Sequence, residues 1–412
     1  MYLSQSLVIG HVNNMTSKQI FVGILSSSTF LVGGVDSVNL KEQPLHQVEQ
    51  ISVYQIEAKQ IGNTVEAVFP WKDQQGLKVS YDMGEPTVLE KMIDERHKQV
   101  VTERVNFEDG GFKIDVILNK KPDTNTFCYT IEGAENYDFF YQPALTKQDI
   151  EDGLERPNDI VGSYAVYHKN LKNHIIGQEN YATGKVLHIP RPQVWEVKNE
   201  QLTKEWAELS YKEGILCVIV RQGFLDKAKY PVRVDPTFGY TTAGASASTI
   251  TTGSTPSISR VSYRQGEPIT GTLTSITSRI YLSGSNSNID WYTYISERDG
   301  SGADSHTQIV SDLENQALTT SPQWITNTVS ASLSCSLCMI NVHSGLVGTR
   351  KVIMRYDTVA SFNRYVEAFG SAAAATESPW TDTATAGTQH LSMYATYTSP
   401  PAGSEAQSEA WF

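Results

Sequence analysis

The chain has 412 residues, 33 Lys+Arg against 45 Asp+Glu and a formal net charge of −12 at pH 7. That balance excludes a basic nucleic-acid binder, and the length suits two or three domains with cores of their own. With 29 Gly, 16 Pro and 20 Tyr, collagen-like and wholly disordered chains are excluded as well.

Along the chain, residues 19–35 are apolar but interrupted by three serines, Ser26 to Ser28. They predict two strands, 20–25 and 29–35, rather than a membrane span or an export signal. Leu77, Val79 and Tyr81 alternate with polar residues, as on a half-buried strand. A 3,4-spaced stripe of Val88, Leu89, Met92 and Ile93 predicts a helix over 87–98. After the tight-turn signal at Glu108 to Gly111, Phe112, Ile114, Val116 and Leu118 line one strand face, and Phe127, Tyr129 and Ile131 line another. A helical turn is predicted over 146–152, short strands near 163–167 and 185–189, and a central strand apolar on both faces at 215–220. In Tyr230 to Pro236, alternate residues Tyr230, Val232 and Val234 face a core while Arg233 faces out, and Pro236 ends strand pairing because it lacks an amide donor.

The composition breaks near residue 239. Residues 1–238 carry 25 Lys+Arg and 32 Asp+Glu, residues 239–412 only 8 and 13, and Lys351 is the sole lysine beyond the break. A small-residue stretch at 241–257 is followed by strand signals at 272–282, 289–296, 309–313, 323–337, 351–356 and 390–398, separated by Gly- and Ser-rich turns. The expected fold is mainly β: two antiparallel β-sandwich domains, the second jelly-roll-like, with one or two short helices. The expected order is an N-terminal extension (1–60), a β-sandwich (61–238), a Ser/Thr/Gly-rich linker (239–258), the jelly-roll-like module (259–399) and a tail (400–412).

The cysteines, Cys128, Cys217, Cys335 and Cys338, are too few and too irregularly placed to predict a disulfide framework. Cys335 and Cys338 lie three apart in a strand pattern and lack a second ligand pair, which argues against zinc.

The stretch Tyr230-Pro231-Val232-Arg233-Val234-Asp235-Pro236-Thr237-Phe238-Gly239-Tyr240-Thr241-Thr242, with the preceding 214–224 run, resembles a β-sandwich of phage-type virion proteins. Asp138 to Pro143, Leu145-Thr146, Arg156-Pro157 and Val161 to His168 extend that resemblance over about residues 100–242. A shorter form, a strand followed by Val-Asp-Pro-Thr, resembles the close of sandwiches in large bacterial cell-surface repeat proteins. The last strand, Leu391 to Thr398, is similar to jelly-roll modules of phage structural proteins and of secreted carbohydrate-binding proteins. The resemblance implies display on a particle or cell surface and supplies no catalytic set.

The residues agree on that last point. No histidine pair has i, i+4 spacing, and no G-x-S-x-G elbow, phosphate loop or dinucleotide fingerprint occurs. The carboxylates Glu132, Glu135 and Asp138, and Asp149, Glu151 and Asp152, match a glycosidase pair in type, but acidic surface turns explain them more simply. Asp299 and Asp304 flank a Gly-rich turn and are candidate ligands of a structural Ca²⁺; no other cofactor is expected. Trp291 and Trp324 are candidates for stacking on a glycan. Trp411 and Phe412 end a polar tail as a candidate assembly anchor.

The functional expectation is a non-enzymatic virion structural protein, a capsid, decoration or fibre component at the virion surface. Its expected partners are copies of itself, other particle proteins and host-surface glycans, with neither nucleic acid nor a membrane span. The alternatives are a secreted or cell-surface carbohydrate-binding protein and, second, a glycan-cleaving enzyme.

Overall fold

Strict alternation makes the first strands legible one residue at a time. In Thr64–Trp71, Val65, Ala67, Phe69 and Trp71 are buried while the residues between them are not, so one face of a pleated strand meets a core. The computed structural model describes residues 56–72, 74–85, 97–105, 107, 110–171, 175–176, 179–198, 203–249, 258–264, 269–298, 305–335, 338–344, 351–362, 364–369, 380–381 and 387–398. Its sheets are antiparallel and the chain is mainly β, as the patterning predicts, with two short α-helices among the described residues.

Sheet I has six strands in the order Glu57–Ile61, Thr64–Trp71, Gln74–Asp82, Thr126–Glu132, Ile215–Ile219 and Glu208–Lys212. Sheet II has nine and is built around Gly111–Leu118. The two sheets pack face to face through one apolar core. Phe69 of sheet I meets Phe112 and Phe238 of sheet II at ring distances of 6.2 and 5.3 Å. Tyr129 and Tyr240 cross the same gap and donate their hydroxyls to the Ile114 and Pro70 carbonyls, so neither buried phenol lacks a partner.

Pro236 ends the strand Val232–Asp235, and the ladder resumes beyond it in Thr237–Tyr240. Val232–Asp235 and Thr237–Tyr240 both pair with Gly111–Leu118, in the same register on either side of the proline. Beyond that interruption the sheet forks: Gln193–Glu196 continues from the first half, and Lys185–Ile189 and Tyr164–His168 from the second. A residue with no amide donor is tolerated where two branches part, because no neighbouring carbonyl awaits it there.

The cysteines depart from expectation. Cys128 and Cys217, 89 residues apart, are directly opposed on paired strands and form a disulfide; Cys338 is disulfide-bonded as well. Spacing gave no sign of the first bond because only the long-range pairing of Thr126–Glu132 with Ile215–Ile219 brings the thiols together. The predicted helix at 87–98 lies outside the described residues up to 96, and Lys98 opens a strand, Lys98–Val105. The helical turn near 146 is present as Lys147–Glu151, with a reciprocal capping box between Thr146 and Asp149.

The second sandwich packs a seven-stranded sheet III against a six-stranded sheet IV, with a second apolar core between them. Its long strands Ile269–Leu282 and Gln323–Cys335 belong to sheet III, and Ser287–Arg298 and Ser305–Leu318 to sheet IV. A register shift between Leu273 and Ser275 switches the inward residues from Leu273 to Ile276, Ile280 and Leu282. In the region whose composition predicts a linker, Ser246–Thr249 is a paired strand. It lies between Val352–Phe362 and Leu154–Glu155, the latter borrowed from the first sandwich. Its small side chains let it be buried between two neighbours. Residues 51–412 form one compact unit.

Candidate functional site

Lys185–Ile189 and Tyr164–His168 are buried at every position, so both faces of these strands are covered. One face meets sheet I. Against the other lies the second sandwich, through Val352–Phe362 and the segment at 243–249, and the residues between them are polar.

Lys185 and Asp357, both fully buried, pair at 2.7 Å across this seam. Asp357 also accepts the Tyr167 hydroxyl at 2.8 Å and the Ala245 amide at 2.9 Å, while Lys185 donates to the Ala243 carbonyl at 2.7 Å. Burial alone would raise the Asp357 carboxyl. The Lys185 charge, His188 and the Ala245 amide outweigh it and hold the group well below the usual carboxylate range. Gln142 behaves as a strand extension: its amide donates to the Thr358 carbonyl and accepts the Thr358 N–H, both at 2.9 Å. Arg156 binds Ser246 Oγ, Thr358 Oγ1 and the Pro143 carbonyl, and Arg355 binds the Gly244 and Ala245 carbonyls.

Beside this network a cleft of about 610 Å³ opens. Phe107, Ile160, His188 and Arg355 line it, together with the backbone at 243–245. Glycine shapes its floor: a β-carbon on Gly239 would lie 2.3 Å from the Phe107 ring, and one on Gly244 equally close to the Tyr356 backbone. Only hydrogen at these two positions lets the aromatic wall and the second sandwich approach.

His188 Nε2 lies 2.7 Å from Ser163 Oγ, and that hydroxyl donates to the Ile160 carbonyl at 2.7 Å. The hydroxyl proton is thus committed, and the imidazole carries its own proton on Nε2. His188 Nδ1 is buried without a partner. Burial and the Lys185 charge lower its titration to about 3, so the ring is neutral. Serine, histidine and aspartate meet here, yet the connections differ from those of acyl transfer. The serine proton points away from the imidazole, and Asp357 is held by Lys185, Tyr167 and Ala245 rather than by the ring. The arrangement joins two sandwiches and leaves one neutral acceptor at the cleft.

The predicted site residues lie elsewhere. Trp291 is fully buried in the second core, so its ring has no face to offer a sugar, and the stacking expectation fails there. Trp324 is half-buried on the outer face of sheet III, 5.7 Å from the Tyr394 ring, with the Arg279 guanidinium 5.5 Å above it. Asp299 and Asp304, and Trp411 and Phe412, lie outside the described residues. Among the described residues no group of three or more His, Cys, Asp or Glu is placed to hold a metal ion, and no helix is long and apolar enough to cross a membrane. Sequence reading missed Lys185, His188 and Asp357. The available signal was a lysine and a histidine inside the otherwise apolar run Lys-Val-Leu-His-Ile.

No protein-family model matches the chain, and no curated protein matches it.

Proposed function

We propose that the protein is a structural component of a virion surface, of phage type, that assembles in repeated copies and presents its second sandwich outward. The observation that carries this reading is the seam. A water-excluded network centred on the Lys185–Asp357 pair at 2.7 Å fuses two sandwiches, which suits a building block that must keep one shape through many contacts. One of the segments resembling phage-type proteins contributes to it: Asp138 to His168 supplies Gln142, Arg156 and Tyr167. The net charge of −12 favours a position away from packaged nucleic acid. Purified particles examined by electron microscopy and mass spectrometry should contain this chain in many copies. Its absence from every virion or filament fraction would sink the reading.

A second reading, a secreted or cell-surface carbohydrate-binding protein, is favoured by the Trp324, Tyr394 and Arg279 group on sheet III. Glycan-array binding lost in Trp324→Ala would support it, and an array blank for the wild type would remove it.

A further inference from the structure

On the face of sheet II turned away from its core, two paired strands bring four charged side chains together. Phe112, Ile114, Val116 and Leu118 enter the core, and so do Val232 and Val234. Lys113, Asp115, Arg233 and Asp235 therefore lie on the opposite face. Val234 is opposite Val116 and Thr237 opposite Lys113, which sets Asp235 against Asp115.

Lys113 Nζ is 2.6 Å from Asp235 Oδ2. Asp115, fully buried, accepts Arg233 on Oδ2, and its Oδ1 has no hydrogen-bond partner. Burial and the neighbouring Asp235 raise the Asp115 carboxyl to about 8, against the pull of Arg233. Asp115 is thus protonated at neutral pH. That proton also balances the cluster among the described residues, since Lys113 is then paired with Asp235 and Arg233 with Glu103, the latter 3.1 Å away. An amine, a carboxyl in contact with it and a second, protonated carboxyl beside both make a complete set for amide formation.

We propose that Lys113 and Asp235 condense into an intramolecular amide, with Asp115 as the acid and base that relays protons. The Lys113 ammonium passes one proton to the Asp235 carboxylate, leaving a neutral amine and a neutral acid. The Nζ lone pair adds to Asp235 Cγ, and the electrons of the carbonyl move to its oxygen, which takes the Asp115 proton. Asp115 then recovers a proton from Nζ. The tetrahedral centre expels one hydroxyl as water, protonated through the same relay, and the C=O bond re-forms. The sum is amine plus carboxylic acid to amide plus water, with nothing oxidised or reduced. Holding the reactants in contact replaces the cost of bringing them together, and converting the ion pair into a neutral amide removes two partly desolvated charges. The Lys185–Asp357 pair is drier, but its carboxylate is held ionised by that lysine, the Tyr167 hydroxyl and the Ala245 amide.

The test is the mass of the full chain, purified and fully reduced. The expected result is a mass lower by one water than the sequence requires, with a branched proteolytic peptide joining the segments of Lys113 and Asp235. Lys113→Arg keeps the ion pair but lacks the amine nucleophile, and should show the unlinked mass. Asp115→Asn should form the link on the order of 100-fold more slowly, read as the unlinked fraction over time after synthesis. Wild-type protein at the full sequence mass would overturn the proposal, as would a branched peptide containing Lys185 and Asp357 instead. Linking at the wild-type rate in Asp115→Asn would remove Asp115 from the chemistry. The wild-type mass decides the matter even if a variant fails to fold.

Discussion

Lys185 and Asp357 gave up their hydration to meet, and each is tolerable in the seam only because the other is there. Removing one leaves a buried charge uncompensated. Lys185→Met is expected to cost about 3–5 kcal/mol in urea unfolding, while Lys185→Met with Asp357→Leu should recover most of the loss. A single change costing less than about 1 kcal/mol would show that water reaches the pair. His188 adds a dependence on acid. It titrates at about 3 when folded, so as pH falls from its ordinary value the unfolded chain takes the proton first, and stability is lost across the window from about 6.5 to 3. Asp357 works in the same direction at lower pH, its contribution being lost as pH falls through its depressed value. Asp115 opposes both while Asp235 beside it remains an unlinked carboxylate. Its raised value favours the folded state at low pH, and that contribution is lost as pH rises from about 4 toward 8. The difference between two proteins isolates the histidine. His188→Gln should flatten the slope of urea stability against pH by about 1 kcal/mol per unit between pH 4 and 6. Parallel curves for the two proteins would mean that His188 is protonated in the folded state.

At the scale of single elements, the strands of sheet I are stapled by a bond that closes an interval of 89 residues. Replacing Cys128 and Cys217 together with Ala should lower stability by about 4–5 kcal/mol, the chain-entropy value for such a loop. Non-reducing peptide mapping that finds both thiols free would make the loss absent. Alternation made the elements themselves legible: Leu77, Val79 and Tyr81 and the Phe112 to Leu118 face are buried as their spacing predicts. The site was far less legible. Lys185 and His188 lie in a strand that is covered on both sides only because the second sandwich folds over it, and no local pattern records a neighbour that is more than 150 residues away, as Asp357 is. Trp291 and Tyr292 necessarily point to opposite faces, but which face meets the core depends on how sheets III and IV close on each other. The Ser and Thr of 246–249 resemble solvent-facing linker residues. Ser246 and Ser248 are buried because a small side chain is what a strand between two others has room for.

Across the whole molecule, the composition break near residue 239 divides two cores but not two independent parts. Sheet III contains Leu154–Glu155 from the first sandwich, and Asp357 and Thr358 reach back to Lys185, Tyr167 and Gln142. Produced alone, residues 241–398 would lose that strand and expose a carboxylate whose three partnerships include a lysine and a tyrosine from outside the fragment. The lost contacts are long-range, so nothing local within the fragment replaces them. Such a fragment is expected to be insoluble, or to melt well below the full chain, whereas the full chain should unfold residues 51–412 in one calorimetric transition. Asp357→Asn should separate that transition into two, because it weakens the seam while leaving both apolar cores intact. A soluble fragment melting within a few degrees of the full chain would show that each sandwich is stable without the seam, and that the polar network orients the two halves without stabilising either.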